Sequence, residues 1–214
     1  MERVTTIGLD IAKSAFQVHG VSADGEVLIR RRPTRGRMLP FFAKLPRCLV
    51  GIEACNNSHY SARELTALGH DVKLIPAQYV KPYVKRGKND AADAEAICEA
   101  VTRPTMRFAA GKSPEQQSLM MLHRVRLMLN RQRTQISNAI RAHISEFGVV
   151  APAGRLGVDR LFEVVADFGG DRVPEDARLC LQMLAAQLEV VKRQILENDR
   201  ACWQAQGGPS SDAD

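Results

Sequence analysis

Thr6-Ile7-Gly8-Leu9-Asp10-Ile11 is an apolar run that ends in an acid, and Leu49-Val50-Gly51-Ile52-Glu53-Ala54 repeats the arrangement. A third acidic place follows in Lys88-Asn89-Asp90-Ala91-Ala92-Asp93-Ala94, where two aspartates stand three apart. Acids at the ends of buried strands are costly unless something cationic meets them. Two unit charges 4 Å apart interact by about 1 kcal/mol in water and roughly 4 kcal/mol at an effective dielectric of 20. Convergence of Asp10, Glu53, Asp90 and Asp93 therefore calls for a divalent ion between them. Carboxylates that hold two metals about 3.5–4 Å apart steady the attacking and leaving oxygens of a phosphodiester, and that chemistry is the leading reading of the quartet.

Working outward from these acids, the segments read as a mixed α/β sheet. Val4–Asp10, Ala15–Val21 and Glu26–Arg31 are short strands, the last two joined by the turn residues Ser22-Ala23-Asp24-Gly25. Pro40 is placed to open a short helical patch with Phe41, Phe42 and Leu45. Cys48–Ile52 is a buried-type strand, Ser58–Leu68 an amphipathic helix ended by Gly69, and Asp71–Ile75 a strand closed by Pro76. Helix signals resume at Asp90, with Asn89 suited to a plain N-cap, and stop at Arg103-Pro104. Three strands followed by alternating helices and strands indicate a sheet that brings all four acids to one edge.

After Pro114 the chain turns to long helices. Glu115–Phe147 carries Leu122, Val125, Leu129, Ile136, Ile140 and Ile144 interleaved with arginines. A Gly/Pro-rich loop from Gly148 to about Gly157 and a segment through Gly169-Gly170 and Pro174 lead to a last helix. There Leu181, Leu184, Leu188, Val191, Ile195, Asn198 and Cys202 follow a 3-4 spacing, as in a coiled coil, serving either a second copy or a hairpin partner. The divisions expected are 1–112 for the catalytic domain, 113–175 for basic linker helices, 176–205 for the coiled coil and 206–214 for a disordered tail.

Charge supports a nucleic-acid partner more through its distribution than its sum. The 214 residues hold 30 Lys and Arg against 24 Asp and Glu, for a net charge of +6. From Val27 to Ile52 lie Arg30, Arg31, Arg32, Arg35, Arg37, Lys44 and Arg47 with no acid, and Lys73, Lys81, Lys85, Arg86 and Lys88 follow in a second acid-free tract. The long helix adds Arg124, Arg126, Arg131, Arg133 and Arg141, a sign bias that a neutral solvated face would lack. Phosphate contact is thus assigned to Lys85, Arg86, Lys88, Arg124, Arg131, Arg133 and Arg141. Tyr79 and Tyr83 either stack on bases or pack. The five histidines and five scattered cysteines show no ligand spacing or disulfide framework. No signal-peptide pattern or long apolar run is present, so a soluble, cytoplasmic protein without membrane contact is expected. An actin-like sugar kinase is disfavoured, because Asp10-Ile11-Ala12-Lys13-Ser14 lacks the glycine that would admit a phosphate.

With Gly8-Leu9-Asp10, Gly51-Ile52-Glu53-Ala54 and Lys88-Asn89-Asp90-Ala91-Ala92-Asp93-Ala94, the chain resembles the DEDD transposases of insertion sequences, a group that includes pilin-gene invertases and recombinases guided by a bridge RNA. The resemblance implies a ribonuclease H-like first domain, similar to a Holliday-junction resolvase. It implies Mg²⁺ ligation by Asp10, Glu53, Asp90 and Asp93, with Mn²⁺ as a substitute. It further implies DNA as substrate, a structured guide RNA and subunit contact through the coiled coil. Members of that family continue into a carboxy-terminal domain that supplies a serine nucleophile. This sequence stops at Asp214, and Ser210 and Ser211 lie in a Gly/Pro tail unsuited to that role. An incomplete transposase is therefore expected, with a non-catalytic DNA- or RNA-binding remnant as the alternative.

Overall fold

The computed structural model describes residues 3–11, 15–85, 90–150 and 173–207. The expectations for Asn89, Arg86, Lys88, Gly169-Gly170, most of the Gly148–Gly157 loop and Ser210-Ser211 lie outside them. Two compact units, residues 1–113 and 114–214, make up the chain.

The first unit is built on strands β1 (Thr6–Ile11), β2 (Phe16–Val21), β3 (Val27–Arg31), β4 (Leu49–Glu53) and β5 (Asp71–Ile75). Their order is β3-β2-β1-β4-β5. β1, β2 and β3 form an antiparallel meander, whereas β1–β4 and β4–β5 are parallel. The β2–β3 turn is closed by Ser22 N–H donating to Glu26 O at 2.9 Å, and Gly25 takes the positive φ of 85° that a β-carbon would resist.

Alternation along the strands divides the sheet into two working faces. Ile7, Leu9, Phe16, Val18, Val50, Ile52 and Leu74 pack on one side with Met38, Phe42, Ala62 and Leu65. These last come from α1 (Arg35–Phe42) and α2 (Ser58–Ala67). The opposite face is covered by α4 (Asp90–Val101), whose Ala96, Ile97, Ala100 and Val101 pack with Ile75 and Val80. Helices on both faces are what parallel strands, buried on both sides, require. The arrangement is a mixed α/β sheet, consistent with a ribonuclease H-like fold.

Local boundaries depart from expectation in two places. α1 begins at Arg35, so Pro40 lies inside the helix rather than at its first position. Eight residues leave few internal hydrogen bonds for a proline to break, and the burial of Met38 and Phe42 carries the helix through. Between Pro76 and Val84 a short helix, α3 (Ala77–Val80), and a 3-10 turn (Lys81–Tyr83) appear that hydrophobic periodicity is too short to reveal.

In the second unit, α5 (Pro114–Ser145) and α6 (Glu175–Ala205) lie antiparallel: Arg126 near the start of α5 bonds Asp199 near the end of α6. Leu129, Ile136, Ile140 and Ile144 meet Leu181, Leu188, Val191 and Ile195 in one apolar seam. The stripe read as a coiled-coil seam is thus occupied within the chain, by the hairpin partner. Asn198 is buried in this seam and accepts a hydrogen bond from Cys202 Sγ at 3.7 Å. No helix among the described residues is long and apolar enough to cross a membrane. Leu188 is fully enclosed, and its truncation leaves a void that the facing helix cannot fill. Leu188→Ala is expected to lower unfolding free energy by about 2–5 kcal/mol, read by urea titration of helical circular dichroism.

Candidate metal centre

The register of the two central strands explains where the acids emerge. β1 and β4 run parallel with Gly8 opposite Gly51 and Leu9 opposite Ile52. One step beyond that last pair stand Asp10 and Glu53, two residues along from the glycines and therefore on the glycine face. α4 lies across that face. A β-carbon on Gly8 would sit 2.0 Å from the Ala94 carbonyl oxygen and 2.4 Å from the Cys98 nitrogen. One on Gly51 would sit 2.8 Å from the Val101 β-carbon. The missing side chains let the helix rest on the strand backbones. The residues that form this helix are suited to it: alanine gives both strong helix propensity and a low profile. Aspartates in its first turn favour the positive helix end.

Seated this closely, α4 delivers its first turn to the end of β1. Asp10, Asp90 and Asp93 each offer a carboxylate oxygen to a group whose members all lie within 4.8 Å of one another. Glu53 stands outside that trio, although its charge is felt at Asp10. Burial first, then the charges of Asp93, Asp90 and Glu53, push the Asp10 carboxyl up from 3.8 to about 6. Glu53 is raised too, by burial and then by Asp93, with Lys81 opposing. Arg32 Nη2 lies 3.9 Å from Asp90 Oδ2 at the outer side of the cluster.

This donor set fits a hard divalent cation. All ligating atoms are carboxylate oxygens, and cis and trans oxygens on an octahedral Mg²⁺ stand about 3–4 Å apart, so the trio needs only slight contraction. The charge repulsion at Asp10 is of the sign that a cation relieves. Glu53 would need to move its carboxylate inward, or act through a second ion or a water.

The expected phosphate-binding residues have different surroundings. Lys85 Nζ is taken up by Glu95 Oε1 at 2.5 Å. Arg141 donates to Asn138 Oδ1 at 3.2 Å. Arg124 and Arg131 share an exposed groove on α5 with Leu127, Met128, Gln132 and Gln135. The Arg133 carbonyl receives the Ser137 hydroxyl at 2.7 Å. Arg86 and Lys88 are not among the described residues. Tyr79 and Tyr83 pack beside the α4 cluster, and Arg103 lies over the Tyr83 ring at 5.6 Å. His70 is internal, its ring nitrogens facing Cys48 Sγ at 3.4 Å and the Phe42 carbonyl at 3.2 Å. Of the two glycines, Gly8 makes the tighter backbone contact with α4. The signal for Gly8 lies in the repeated glycine-x-acid spacing.

A mixed sheet of this order, with acids at the carboxyl ends of β1 and β4, is consistent with a ribonuclease H-like fold. Residues 7–148 match the DEDD transposase family of the IS110 type. The chain is 44% identical over 208 residues to a putative transposase, y4pF/y4sB, of Sinorhizobium fredii, covering 94% of this chain and 53% of that protein. It is 46% identical over 198 residues to a probable family 20 transposase of Pseudomonas aeruginosa, covering 92% and 59%. To the transposase for insertion sequence element IS1328 of Yersinia enterocolitica it is 39% identical over 201 residues, covering 91% and 60%. The chain belongs to the IS110 family of DEDD transposases, for which a divalent metal requirement is implied. It spans a little over half the length of these relatives.

Two outcomes follow from this geometry. Gly8→Ala drives a β-carbon into α4 backbone that has no rotamer to yield, so a loss of about 3 kcal/mol or more is expected in thermal unfolding. A raised carboxyl favours the folded state when protonated. Without metal, the Asp10 contribution is therefore present below its unfolded value of 3.8 and is lost as pH rises through about 6. Asp10→Asn should remove that fall, so the variant's melting temperature gains on the parent's between about pH 4 and 6.

Proposed function

We propose that this chain is the metal-dependent phosphoryl-transfer part of a transposase acting on the DNA of its insertion element. The observation that carries the reading is the convergence of Asp10, Asp90 and Asp93 at the end of β1. These three would hold Mg²⁺, with Mn²⁺ as a substitute, and Glu53 would complete the acidic set. The bound ion supplies charge neutralisation at the reacting phosphate and activation of its attacking oxygen. The protein's own task is to hold the carboxylates on two rigid elements, a strand end and a helix start, so that little reorganisation accompanies binding. Strand transfer by a serine would require residues beyond those assigned here.

The second unit supports a nucleic-acid-binding role. Between Gln116 and Ser145, α5 has no acid and five arginines. Arg124 and Arg131 have no ion pair among the described residues. A structured guide RNA is the partner that the family resemblance assigns to such basic helices. Self-association, if it accompanies function, would use a face other than the α6 stripe, which α5 buries. The non-catalytic remnant is the second reading, favoured by the same arginine-rich stretch of α5.

Two measurements separate them. Mg²⁺ at a hundredfold its dissociation constant should stabilise the fold by about 2.7 kcal/mol, and Asp10→Asn or Asp93→Asn should abolish the shift. An equal shift in variant and parent would remove the site assignment. With Mn²⁺ present, cleavage of a branched or nicked DNA that disappears in Glu53→Gln identifies the enzyme. Binding without cleavage identifies the remnant.

A further inference from the structure

β3 is an edge strand, and its two terminal arginines, with Arg32 directly after them, are otherwise unexplained. Across the meander Gly8 pairs with His19 and His19 with Arg30, while Asp10 pairs with Gln17. Arg30 falls on the sheet face that carries Asp10 and α4, and Arg32, one residue past the end of β3, reaches Asp90 on that side. There a cleft of about 450 Å³ opens between β2–β3 and the first turns of α4, lined by Gln17, His19, Arg30, Arg32, Ala92 and Glu95 among others. The helix side is shallow because alanines 91, 92 and 94 form it. Glu95 is the acid in this wall, and Lys85 neutralises it. The cleft is therefore cationic. The carboxylate cluster adjoins it: Arg32, in the cleft lining, lies 3.9 Å from Asp90.

From this juxtaposition we infer that the β3 edge cleft is the channel along which one DNA strand is led into the carboxylate cluster, with Arg30 and Arg32 gripping successive phosphates. Residues two apart on an extended chain stand at most about 7 Å from one another, a separation suited to neighbouring phosphates of an extended backbone. Guanidinium forks take phosphate oxygens in pairs. No Phe, Tyr or Trp is among the residues that line the cleft and His19 is buried, so bases find little stacking platform and the grip is on the backbone. Arg32 acts as a positioning residue: it faces Asp90 at 3.9 Å, and a DNA phosphate led to the cluster would compete with that carboxylate for its charge. The inference rests on the metal-centre reading above.

The test uses the full 214-residue chain, fluorescein-labelled hexadeoxythymidylate, Mg²⁺ and fluorescence anisotropy over a range of salt. Arg30→Gln/Arg32→Gln should weaken binding about tenfold or more. It should also make the salt slope shallower by about 1.4, because two phosphates of the single strand are no longer neutralised. Arg30→Lys/Arg32→Lys should recover the salt slope but only part of the affinity. Arg193→Gln/Arg200→Gln, exposed on α6, should leave this short strand's binding unchanged. Hexadeoxyadenylate should bind like hexadeoxythymidylate. The Mg²⁺-induced melting shift should persist in the Arg30/Arg32 variants, which also establishes that they fold. Unchanged affinity in Arg30→Gln/Arg32→Gln overturns the proposal, and hexauridylate binding tenfold tighter overturns the assignment to DNA. Absence of the Mg²⁺ shift in the parent chain would instead count against the metal centre, a failure read independently of the arginine effect.

Discussion

Everything at the acidic end of this fold depends on how closely α4 can lie on β1. The Gly8 position admits no side chain at all: a β-carbon there would be 2.0 Å from the helix backbone. Gly51, one strand over in the same row, gives the helix its second seat. Since the acids follow those glycines by two residues on each strand, the spacing that lowers the helix also puts Asp10 and Glu53 on the side where its first turn arrives. An alanine at Gly8 would push α4 away from β1, and carboxylates within 4.8 Å of one another would separate. Packing and chemistry are here a single constraint.

That constraint creates an electrostatic conflict. A strand end and a helix start, each acceptable alone, are pressed together until Asp10 is held at about 6 by burial and by its acidic neighbours. Nothing in the hydrophobic core requires this. Ile7 and Leu9 face the opposite side of the sheet and pack fully there without reference to the acids. A site that costs stability in the metal-free protein, in the midst of a fold that is otherwise well satisfied, fits the pattern of functional positions that break local rules.

The sheet was legible because its signals are local. Alternation in β1 and β2, the Ser22–Gly25 turn and the Gly69 stop each mark their element within a few residues. The approach of Asp10 to Asp90 and Asp93 was also legible, since the topology leaves the end of β1 and the start of α4 at one edge. What escaped depends on distances that spacing does not encode. Glu53 lies one strand further from α4's first turn than Asp10 and falls outside the trio. The Leu181–Cys202 stripe has the same appearance whether its partner is a second copy or α5; the complementary stripe from Leu129 to Ile144 decides it. Arg32 looked like one cation among seven, and only the three-dimensional return of the chain beyond β3 puts it beside Asp90.

The two edges of the sheet are treated differently, and the difference is informative. Beyond β5, Ala109 N–H bonds the Leu74 carbonyl at 2.8 Å, so a returning segment caps that edge with backbone. β3 is guarded instead by Arg30, Arg31 and Arg32, charges that deter another strand from pairing. Charge of either sign would serve that purpose, and mixed charge would serve it without self-repulsion. Three arginines in a row, two of them on the face that leads to a carboxylate cluster, are more than edge protection needs. Their sign is opposite to that of the site they adjoin, which would draw a polyanion along the edge while the acids themselves repel it until a cation intervenes. On the proposed reading, metal occupancy and strand entry would be coupled through Arg32 and Asp90, which stand 3.9 Å apart where cleft and cluster adjoin.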